Sequence, residues 1–256
     1  MSENQKSKVK QSHRYFIEVM YKGTNYAGFQ VQKNANTVQA EVEKALKIFY
    51  KQEFELTGSS RTDAGVHALQ NYFHFDVADS FEYHKDHIYN LNSILPADIV
   101  IKSLKKVSDD AHCRFDAMRR EYSYFIYRKK DPFIADRAYY YPYKLDMDLL
   151  QEAASILKEY KDFTTFSKKN TQVNNFLCNI EESKWTVHKD TVEYTVAANR
   201  FLRGMVRALV ATMLKVGTGK TSIKEFREII ESKECKRADF SAPAGGLFLK
   251  RVVYKD

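Results

Sequence analysis

Residues 57–67 read T-G-S-S-R-T-D-A-G-V-H, a run of small residues around one arginine, Arg61, and one carboxylate, Asp63. The residues on either side are aromatic and aliphatic in the pattern of strands, so the run predicts a loop between two strands. Glycine and serine let another molecule approach the backbone closely, which puts Arg61 and Asp63 within reach of a large ligand. On residue types alone, an aspartate here is more typical of a turn in which the carboxylate bonds its own backbone.

The elements around this loop are predicted to follow a recognisable order. The first half has a strand, a helix, two strands, a second helix and a closing strand. Their predicted positions are 15–21, 38–49 with Asn36 or Thr37 as the cap, 53–57, 69–77, 84–94 and 99–107. The order β-α-β-β-α-β is that of a ferredoxin-like, or split β-α-β, unit.

The second half repeats that order loosely. Its predicted elements are strand 121–128, helix 147–160, strands 180–187 and 191–197, helices 202–216 and 223–232, and strand 247–254. The sequence therefore predicts an α+β fold of two ferredoxin-like lobes, residues 1–107 and 108–256. No proline- or glycine-rich linker separates the lobes, so we expect them to share a continuous mixed, largely antiparallel sheet with a basic cleft between them.

The chain is basic. Of 256 residues, Lys and Arg number 41 against 33 Asp and Glu, which gives a formal net charge of +8. A positive surface favours a polyanionic partner through long-range attraction, and nucleic acid is the first candidate. Charge by itself does not decide the matter, because many basic proteins bind no nucleic acid.

Neither a cofactor nor a membrane is expected. The three cysteines are widely spaced and predict neither a disulfide framework nor a zinc site, and no signal peptide or run of about eighteen apolar residues is present, so we expect a cytoplasmic protein. Residues 216–222 end like a Walker A loop, but Leu214 stands where its first glycine belongs. His84 and His87 lack further ligands nearby in the sequence, so no metal site is predicted.

The segment 114–127, R-F-D-A-M-R-R-E-Y-S-Y-F-I-Y, places three arginines before a strand that contains Tyr122, Tyr124 and Tyr127. Arginines can neutralise phosphates, and a tyrosine ring can stack on an unstacked base. The same pattern is also that of a strand with a charged flank and tyrosines buried for packing, which pattern alone favours.

The segment 199–216 predicts a buried helix, because it is apolar on nearly all sides. Arg200, Arg203 and Arg207 nevertheless recur at i, i+3 and i+7. A guanidinium on an apolar helix is costly unless a carboxylate partners it, so we expect an acidic group from elsewhere in the chain to dock here. The alternative for Arg200 and Arg203 is a surface stripe that contacts RNA or is simply solvated.

The run G-S-S-R-T-D-A-G-V-H-A, residues 58–68, resembles the signature loop of the bacterial tRNA pseudouridine synthase A family. Further segments resemble the family in the family's order over nearly the whole chain: Y-K-G-T-N-Y-A-G-F-Q-V-Q, T-V-Q-A-E-V-E-K-A-L, L-P-A-D-I-V, D-F-T-T-F-S-K, V-G-T-G-K-T-S and A-P-A-G-G-L-F-L. The chain departs from the family pattern at Phe29 (tryptophan is usual), Ser60 (glycine), Cys113, Asn179 (arginine) and Ala211 (glycine).

The resemblance implies an isomerase that converts uridine to pseudouridine in the tRNA anticodon arm, at tRNA positions 38–40, without a cofactor or metal. It implies a homodimer with one tRNA crossing both subunits. Asp63 falls on the family's nucleophile, and Arg207 on the arginine that pairs with it. Tyr122 falls on the tyrosine that packs on the uracil and takes part in proton transfer. We also expect Arg61 to help extrude the nucleotide and Leu247 to form part of the pocket wall.

Two alternatives stay open. The first is a tRNA-binding or RNA-folding module without catalysis, which would carry the same basic surface. The second is a synthase of the same family that acts on other uridines, because recognition by shape leaves few side-chain signatures.

Overall fold

The computed structural model describes residues 12–78, 81–168 and 175–255. Its strands are β1 (Ser12–Tyr21), β2 (Thr57–Gly58), β3 (His67–Ala78), β4 (Ile99–Lys106), β5 (Arg119–Tyr127), β6 (Tyr139–Tyr140), β7 (Ile180–Val187), β8 (Thr191–Ala198) and β9 (Leu247–Val253). Its α-helices are α1 (Val38–Tyr50), α2 (Asp86–Ile94), α3 (Met147–Ile156), α4 (Met205–Gly217) and α5 (Ile223–Glu231). No helix within these described ranges is long and apolar enough to cross a membrane.

The strands form one mixed sheet in the order β4-β1-β3-β9-β5-β8-β7, with β2 paired to β3 and β6 paired to β5. Neighbouring strands are antiparallel except β3–β9 and β5–β6, which are parallel. One hydrophobic core of buried side chains extends through both halves of the chain. These observations confirm the predicted α+β fold with a continuous, largely antiparallel sheet. The division into two lobes at residues 107 and 108 stays a prediction.

The two halves of the chain meet at one short contact in this sheet. Strands β4, β1 and β3 come from the first half, and β9, β5, β8 and β7 come from the second. Strands β3 and β9 pair only through His67 with Phe248 and Ala68 with Leu249. We call this contact the seam. It lies at the end of residues 57–67, which we call the Asp63 loop.

The predicted strand at 53–57 is wrong in its extent, because β2 has only two residues. Side chains of α1 replace a strand neighbour there. Gln39 donates from Nε2 to the Leu56 carbonyl at 2.8 Å, and Glu43 accepts from the Leu56 N–H at 3.2 Å. These bonds satisfy the backbone before β2 without a second strand.

Helix α4 is buried as predicted, with eleven of its thirteen residues inaccessible to solvent. It begins at Met205, later than the sequence pattern predicts. The residue before it, Gly204, has a φ of 75°, a left-handed conformation that glycine adopts at little cost and that interrupts the helix. Arg200 and Arg203 therefore precede the helix, and the predicted line of three arginines along one helical stretch is wrong. Arg207 alone of the three lies on α4.

A buried histidine ties the start of the second half to β3. The Nδ1 atom of His74 accepts from the Cys113 N–H at 3.3 Å and lies 3.2 Å from the Cys113 sulfur. The thiol donates to the Thr57 carbonyl at 3.1 Å, and burial raises its pKa to about 12, so it stays neutral. Burial, followed by the positive charge of Arg14, lowers the pKa of His74 to about 4. The link therefore needs a neutral imidazole.

We expect this link to make folding stability depend on pH. Histidine titrates near pH 6.5 in an unfolded chain, whereas the pKa of folded His74 is about 4. The unfolded state binds the proton more tightly, so the free energy of unfolding falls as the pH drops from about 6.5 towards 4. At pH 5 the loss is about 2 kcal/mol.

The His74→Asn variant keeps an acceptor for the Cys113 N–H. It should be less stable than the wild type at pH 7, but its free energy of unfolding should fall less than that of the wild type between pH 7 and pH 5. Urea unfolding at the two pH values measures this, and His84→Asn, at an exposed ring, controls for loss of a histidine elsewhere. An equal fall in the wild type and in His74→Asn would contradict the assignment.

Candidate active site

The Asp63 loop is held on one side by buried side chains of β1 and β3. The hydroxyls of Thr62 and Tyr21 are hydrogen-bonded at 2.8 Å. Asn71 accepts from the Ser60 N–H at 3.2 Å and donates to the Ser60 carbonyl at 2.9 Å. Asp63 itself is half-buried, and its carboxylate makes no hydrogen bond or ion pair with any other residue that the structure describes. The loop is fixed, and its carboxylate is left without a protein partner.

Close backbone packing holds the loop on another side. Gly28 has a φ of 121°, and a methyl group added there would lie 3.1 Å from the Thr62 carbonyl oxygen. The Phe29 N–H donates to the same oxygen at 3.2 Å. Phe29, where the resemblance leads one to expect tryptophan, is fully buried and stacks on Phe73 with ring centres 4.3 Å apart. Gly28 is therefore needed both for its conformation and for the space.

Residues 242–246 of the second half, which we call the 242–246 segment, pack against the Asp63 loop. A methyl group added at Gly65 would lie 3.3 Å from the Ala244 Cβ, so the two backbones are in close approach. On the other side of the segment, the Tyr124 hydroxyl donates to the Pro243 carbonyl at 2.8 Å. The segment thus connects the loop to strand β5.

His67 bridges the two halves through its ring. The Gly23 N–H donates to Nδ1 at 3.0 Å, so Nδ1 is an acceptor and the proton lies on Nε2. Nε2 is 3.1 Å from the Gly245 carbonyl, to which it donates, and the ring stacks on Phe248 at 4.5 Å. Burial lowers the pKa of His67, which favours the neutral ring that this arrangement requires.

Arg207 lies in the first turn of α4 and reaches the 242–246 segment. Its Nε donates to the Ala242 carbonyl at 2.6 Å. The described residues form no ion pair within 4.0 Å between Arg207 and Asp63, so the direct pairing that the resemblance implies is absent from this structure. Instead the guanidinium is engaged by a carbonyl. Burial raises the pKa of Tyr124, and the charge of Arg207 opposes that rise.

Tyr122 is buried in the middle of the sheet. It lies on β5 between Val196 of β8 and Leu249 of β9, and 9% of it is exposed. Its ring meets the edge of Phe201 at 5.0 Å, and its hydroxyl has no hydrogen-bond partner among the described residues. Burial raises the pKa of Tyr122 to about 12, and the charge of Asp63 contributes to the rise. The carboxylate and the phenol therefore lie within electrostatic reach of each other.

The arginines at the start of β5 point to different places. Arg119 pairs with Glu182 at 3.0 Å and Glu181 at 3.2 Å, within a group of surface charges. Arg120 turns to the Asp63 loop and donates to the Ser60 hydroxyl at 3.2 Å. Of these two arginines, only Arg120 contacts the Asp63 loop.

A cavity of about 530 Å³ lies next to the seam. Its walls include His67 and Phe248, together with Met20, Leu69 and Val100. None of the five predicted site residues is among its lining residues. The cavity is therefore separate from the Asp63 carboxylate.

Comparison with known proteins shows the family of this chain. A sequence model of the family described as tRNA pseudouridine synthase matches residues 17–116 and 153–255. The chain belongs to the tRNA pseudouridine synthase family. The protein is thus an isomerase of the pseudouridine synthase type.

Relatives in this family align over nearly their whole length. The tRNA pseudouridine synthase A of Porphyromonas gingivalis is 45% identical over 244 residues, which are 94% of this chain and 97% of the relative. That of Parabacteroides distasonis is 42% identical over 95% of this chain and 96% of the relative. That of Staphylococcus aureus strain MRSA252 is 37% identical over 93% of this chain and 91% of the relative.

In this family member the predicted site residues come from both halves of the chain. Asp63 and Tyr122 lie within electrostatic reach, and Arg207 connects to the Asp63 loop through the 242–246 segment. Leu247 is buried directly after that segment, and Arg61 is exposed on the loop. The catalytic and substrate-binding roles of these residues stay predictions.

Two residues that hold the synthase's Asp63 loop were missed by sequence reasoning. Asn71 has the same phase along β3 as Phe73 and Phe75, so an amide at an inward position of an apolar strand was the available signal. His67 closes the quoted run, but its partners, Gly23 and Gly245, are distant in sequence, and nothing local identifies them.

The two glycines before β9 supply a test of this packing. A methyl group at Gly246 would lie 2.7 Å from the Tyr124 ring and 2.9 Å from the Phe125 carbonyl, whereas the nearest atom at Gly245 is the Asp136 carbonyl oxygen at 3.5 Å. Gly246→Ala should lower the free energy of unfolding by about 1–3 kcal/mol through overpacking, and Gly245→Ala should cost much less. Urea unfolding of both variants measures this, and equal losses would contradict the packing.

Proposed function

We propose that this chain converts uridine to pseudouridine in the anticodon arm of tRNA, at positions 38–40, with Asp63 as the attacking carboxylate. The observation that carries the proposal is the state of Asp63, a half-buried carboxylate without a described protein partner, on a loop fixed from both halves and near a buried phenol. An aspartate with a structural role in a turn would bond the backbone or a cation. The names of the relatives, which describe synthases of tRNA, support tRNA as the substrate.

The reaction is an isomerisation of the nucleotide. The bond between N1 and C1′ breaks, the uracil turns in place, C5 bonds to C1′, and the C5 proton leaves while N1 gains one. Reactant and product have the same atoms and the same oxidation level, so the chemistry consumes no reductant and no energy donor. A carboxylate beside a glycosidic bond can attack the sugar carbon or stabilise its developing positive charge, as in glycosidases. Asp63 is the carboxylate that the loop presents for this step.

Arg207 has an electrostatic and positioning part in this proposal. Its charge and the positive end of the α4 dipole both lie at the first turn of that helix, where they attract negative charge. Its bond to the Ala242 carbonyl also holds the 242–246 segment, against which the Asp63 loop packs. Both effects operate without a direct ion pair.

Tyr122 and Leu247 bind the base in this proposal. Because the pKa of Tyr122 is raised to about 12, the side chain is a neutral phenol at pH 7. A neutral phenol can pack on the base and can also donate a proton. Leu247 supplies an apolar wall, and the exposed Arg61 meets the RNA as the nucleotide leaves the base stack.

The proposed active form is a cytoplasmic homodimer with one tRNA crossing both subunits. A chain of this size reads an L-shaped RNA mainly by shape and phosphate contacts, and a second copy extends the basic surface. Light scattering should give twice the mass of the chain, with one tRNA bound per dimer. An active monomer that binds tRNA one to one would contradict this.

Substitution of Asp63 tests the proposed chemistry. Purified protein is incubated with tRNA that carries tritium at C5 of uridine, and release of tritium reports loss of the C5 proton. Asp63→Asn should lower the rate by roughly 10³-fold or more, because a nucleophile cannot be replaced by an amide. Binding of tRNA should change little. The control is Asp190→Asn, at an exposed carboxylate between β7 and β8, which should keep the wild-type rate.

The same experiment separates the alternatives. A tRNA-binding or RNA-folding module would release no tritium with either protein. Release by the wild type together with undiminished release by Asp63→Asn would refute the assignment of the nucleophile. Mapping of pseudouridine in the product tests the position: product only at uridines outside 38–40 would favour a synthase of the family with other targets.

A further inference from the structure

The side chain of Arg120 hydrogen-bonds to three separate segments of the chain. Its guanidinium donates to the Ser60 hydroxyl at 3.2 Å, to the Ala117 carbonyl at 3.3 Å, to the Asn199 carbonyl at 3.2 Å and to the Arg114 carbonyl at 2.8 Å. The arginine side chain has five N–H groups, and these four hydrogen bonds use four of them. Arg120 is therefore committed to structure and is not free to bind a ligand as a fork.

Each of the three clamped segments carries another arginine. Arg61 follows Ser60, Arg114 is bonded through its own carbonyl, and Arg200 follows Asn199. The side chains of these three arginines form no hydrogen bond or ion pair with any carboxylate in the described part of the chain. Arg119, by contrast, is paired with glutamates at 3.0 Å and 3.2 Å.

Arg114 lies within electrostatic reach of the other guanidinium groups around Arg120. The pKa of Arg114 is lowered by burial and, after that, by the positive charges of Arg61, Arg120 and Arg200. Four guanidinium groups without a paired carboxylate concentrate positive charge next to the Asp63 loop. An anion with several oxygens would neutralise this charge, and a phosphate matches the planar fork of arginine.

An exposed aromatic ring beside the cluster points to a nucleic acid as the source of that phosphate. Phe115 is 74% exposed, and the guanidinium of Arg114 lies 5.8 Å from its ring centre. His112 holds this segment in place. Its Nδ1 accepts from the backbone N–H of Arg114 at 3.1 Å and from that of Phe115 at 3.3 Å, and the centres of the His112 and Phe115 rings are 4.2 Å apart. An exposed ring next to arginines can stack on a base of the RNA while the arginines bind the adjoining phosphate.

We propose that Arg61, Arg114 and Arg200 form a subsite for a backbone phosphate of the RNA next to the target uridine. Arg120 is the positioning residue that builds this subsite and ties it to the Asp63 loop. Ser60 supplies the direct tie in this chain, at a position where the resemblance leads one to expect glycine, which has no side-chain acceptor. The inference rests on the proposed function, because it takes its ligand from the tRNA substrate.

Binding of tRNA at several salt concentrations tests the subsite. Arg114→Gln and Arg200→Gln should each raise the Kd at about 0.1 M salt by roughly 3- to 10-fold and reduce the salt slope by about one. The matched control is Arg237→Gln, at an exposed arginine beyond α5, which should keep the wild-type Kd and slope. Wild-type slopes for both Arg114→Gln and Arg200→Gln would overturn the proposal.

A neutral linkage in the RNA identifies the phosphate. The tRNA is assembled with a methylphosphonate at each phosphate that flanks the target uridine, one at a time. One such linkage should weaken binding to the wild type as much as Arg114→Gln weakens binding to ordinary tRNA. It should weaken binding to Arg114→Gln no further, because both changes remove one contact. Additive losses at every linkage would overturn the proposal.

Two conservative variants test the positioning role of Arg120. Arg120→Lys keeps the charge but has three donors on a single nitrogen, so it cannot make the four bonds of Arg120. Ser60→Gly removes one acceptor and installs the residue usual in the family. Both should reduce the salt slope and raise KM more than they lower kcat, with melting temperatures that show a folded protein. A wild-type slope and KM in folded Arg120→Lys would overturn the positioning role.

The binding assays, unlike the comparison of KM with kcat, give a result that does not depend on the test of the proposed function. Tritium release by the wild type decides whether the chain is a synthase of tRNA. If the wild type released none, the salt slope and the neutral linkages would still decide whether the arginines bind an RNA phosphate. If the wild type released tritium and Arg114→Gln bound tRNA as the wild type does, only the subsite would fail.

Discussion

The sheet consists of two parts, one from each half of the chain, and they are joined by the pairing of His67 with Phe248 and of Ala68 with Leu249. A shift of one residue in this pairing would turn every side chain of one strand to the other face of the sheet, so two pairs are enough to set the register. Asp63 lies shortly before the first of these pairs. Its position relative to Tyr122 therefore depends on the seam, although neither residue takes part in the pairing.

The Asp63 loop is held by more bonds than a surface loop needs. The first half contributes Asn71 and the hydroxyl of Tyr21, and the second half contributes the guanidinium of Arg120 and the 242–246 segment. A carboxylate without a partner at a half-buried position lowers stability, and it persists only where its surroundings are fixed by other contacts. In the proposed reaction, a loop held in this way keeps Asp63 in place for the substrate and avoids the ordering cost that a mobile loop would add.

The arginines of the protein divide by their partners. Arg14 pairs with Asp76 at 2.7 Å, and Arg119 pairs with Glu182 at 3.0 Å, so their charges are neutralised within the fold. The arginines around Arg120 have no such partner in the described chain. Positive charge is therefore left unneutralised next to the loop that carries Asp63, and in our proposal this is where the net charge of +8 meets the RNA.

The sequence by itself determined the order of elements, the fold class and the family, because periodicity and short motifs are local properties of the chain. It also singled out Asp63, Tyr122 and Arg207. Only the tertiary structure decided that α4 begins after Arg203 and that Arg207 donates to the Ala242 carbonyl. It also decided that Arg119 pairs with glutamates whereas Arg120 bonds to the Asp63 loop. The reason is physical: these choices depend on donors and acceptors that lie tens of residues apart, and no local pattern shows which of them folding brings within hydrogen-bond distance.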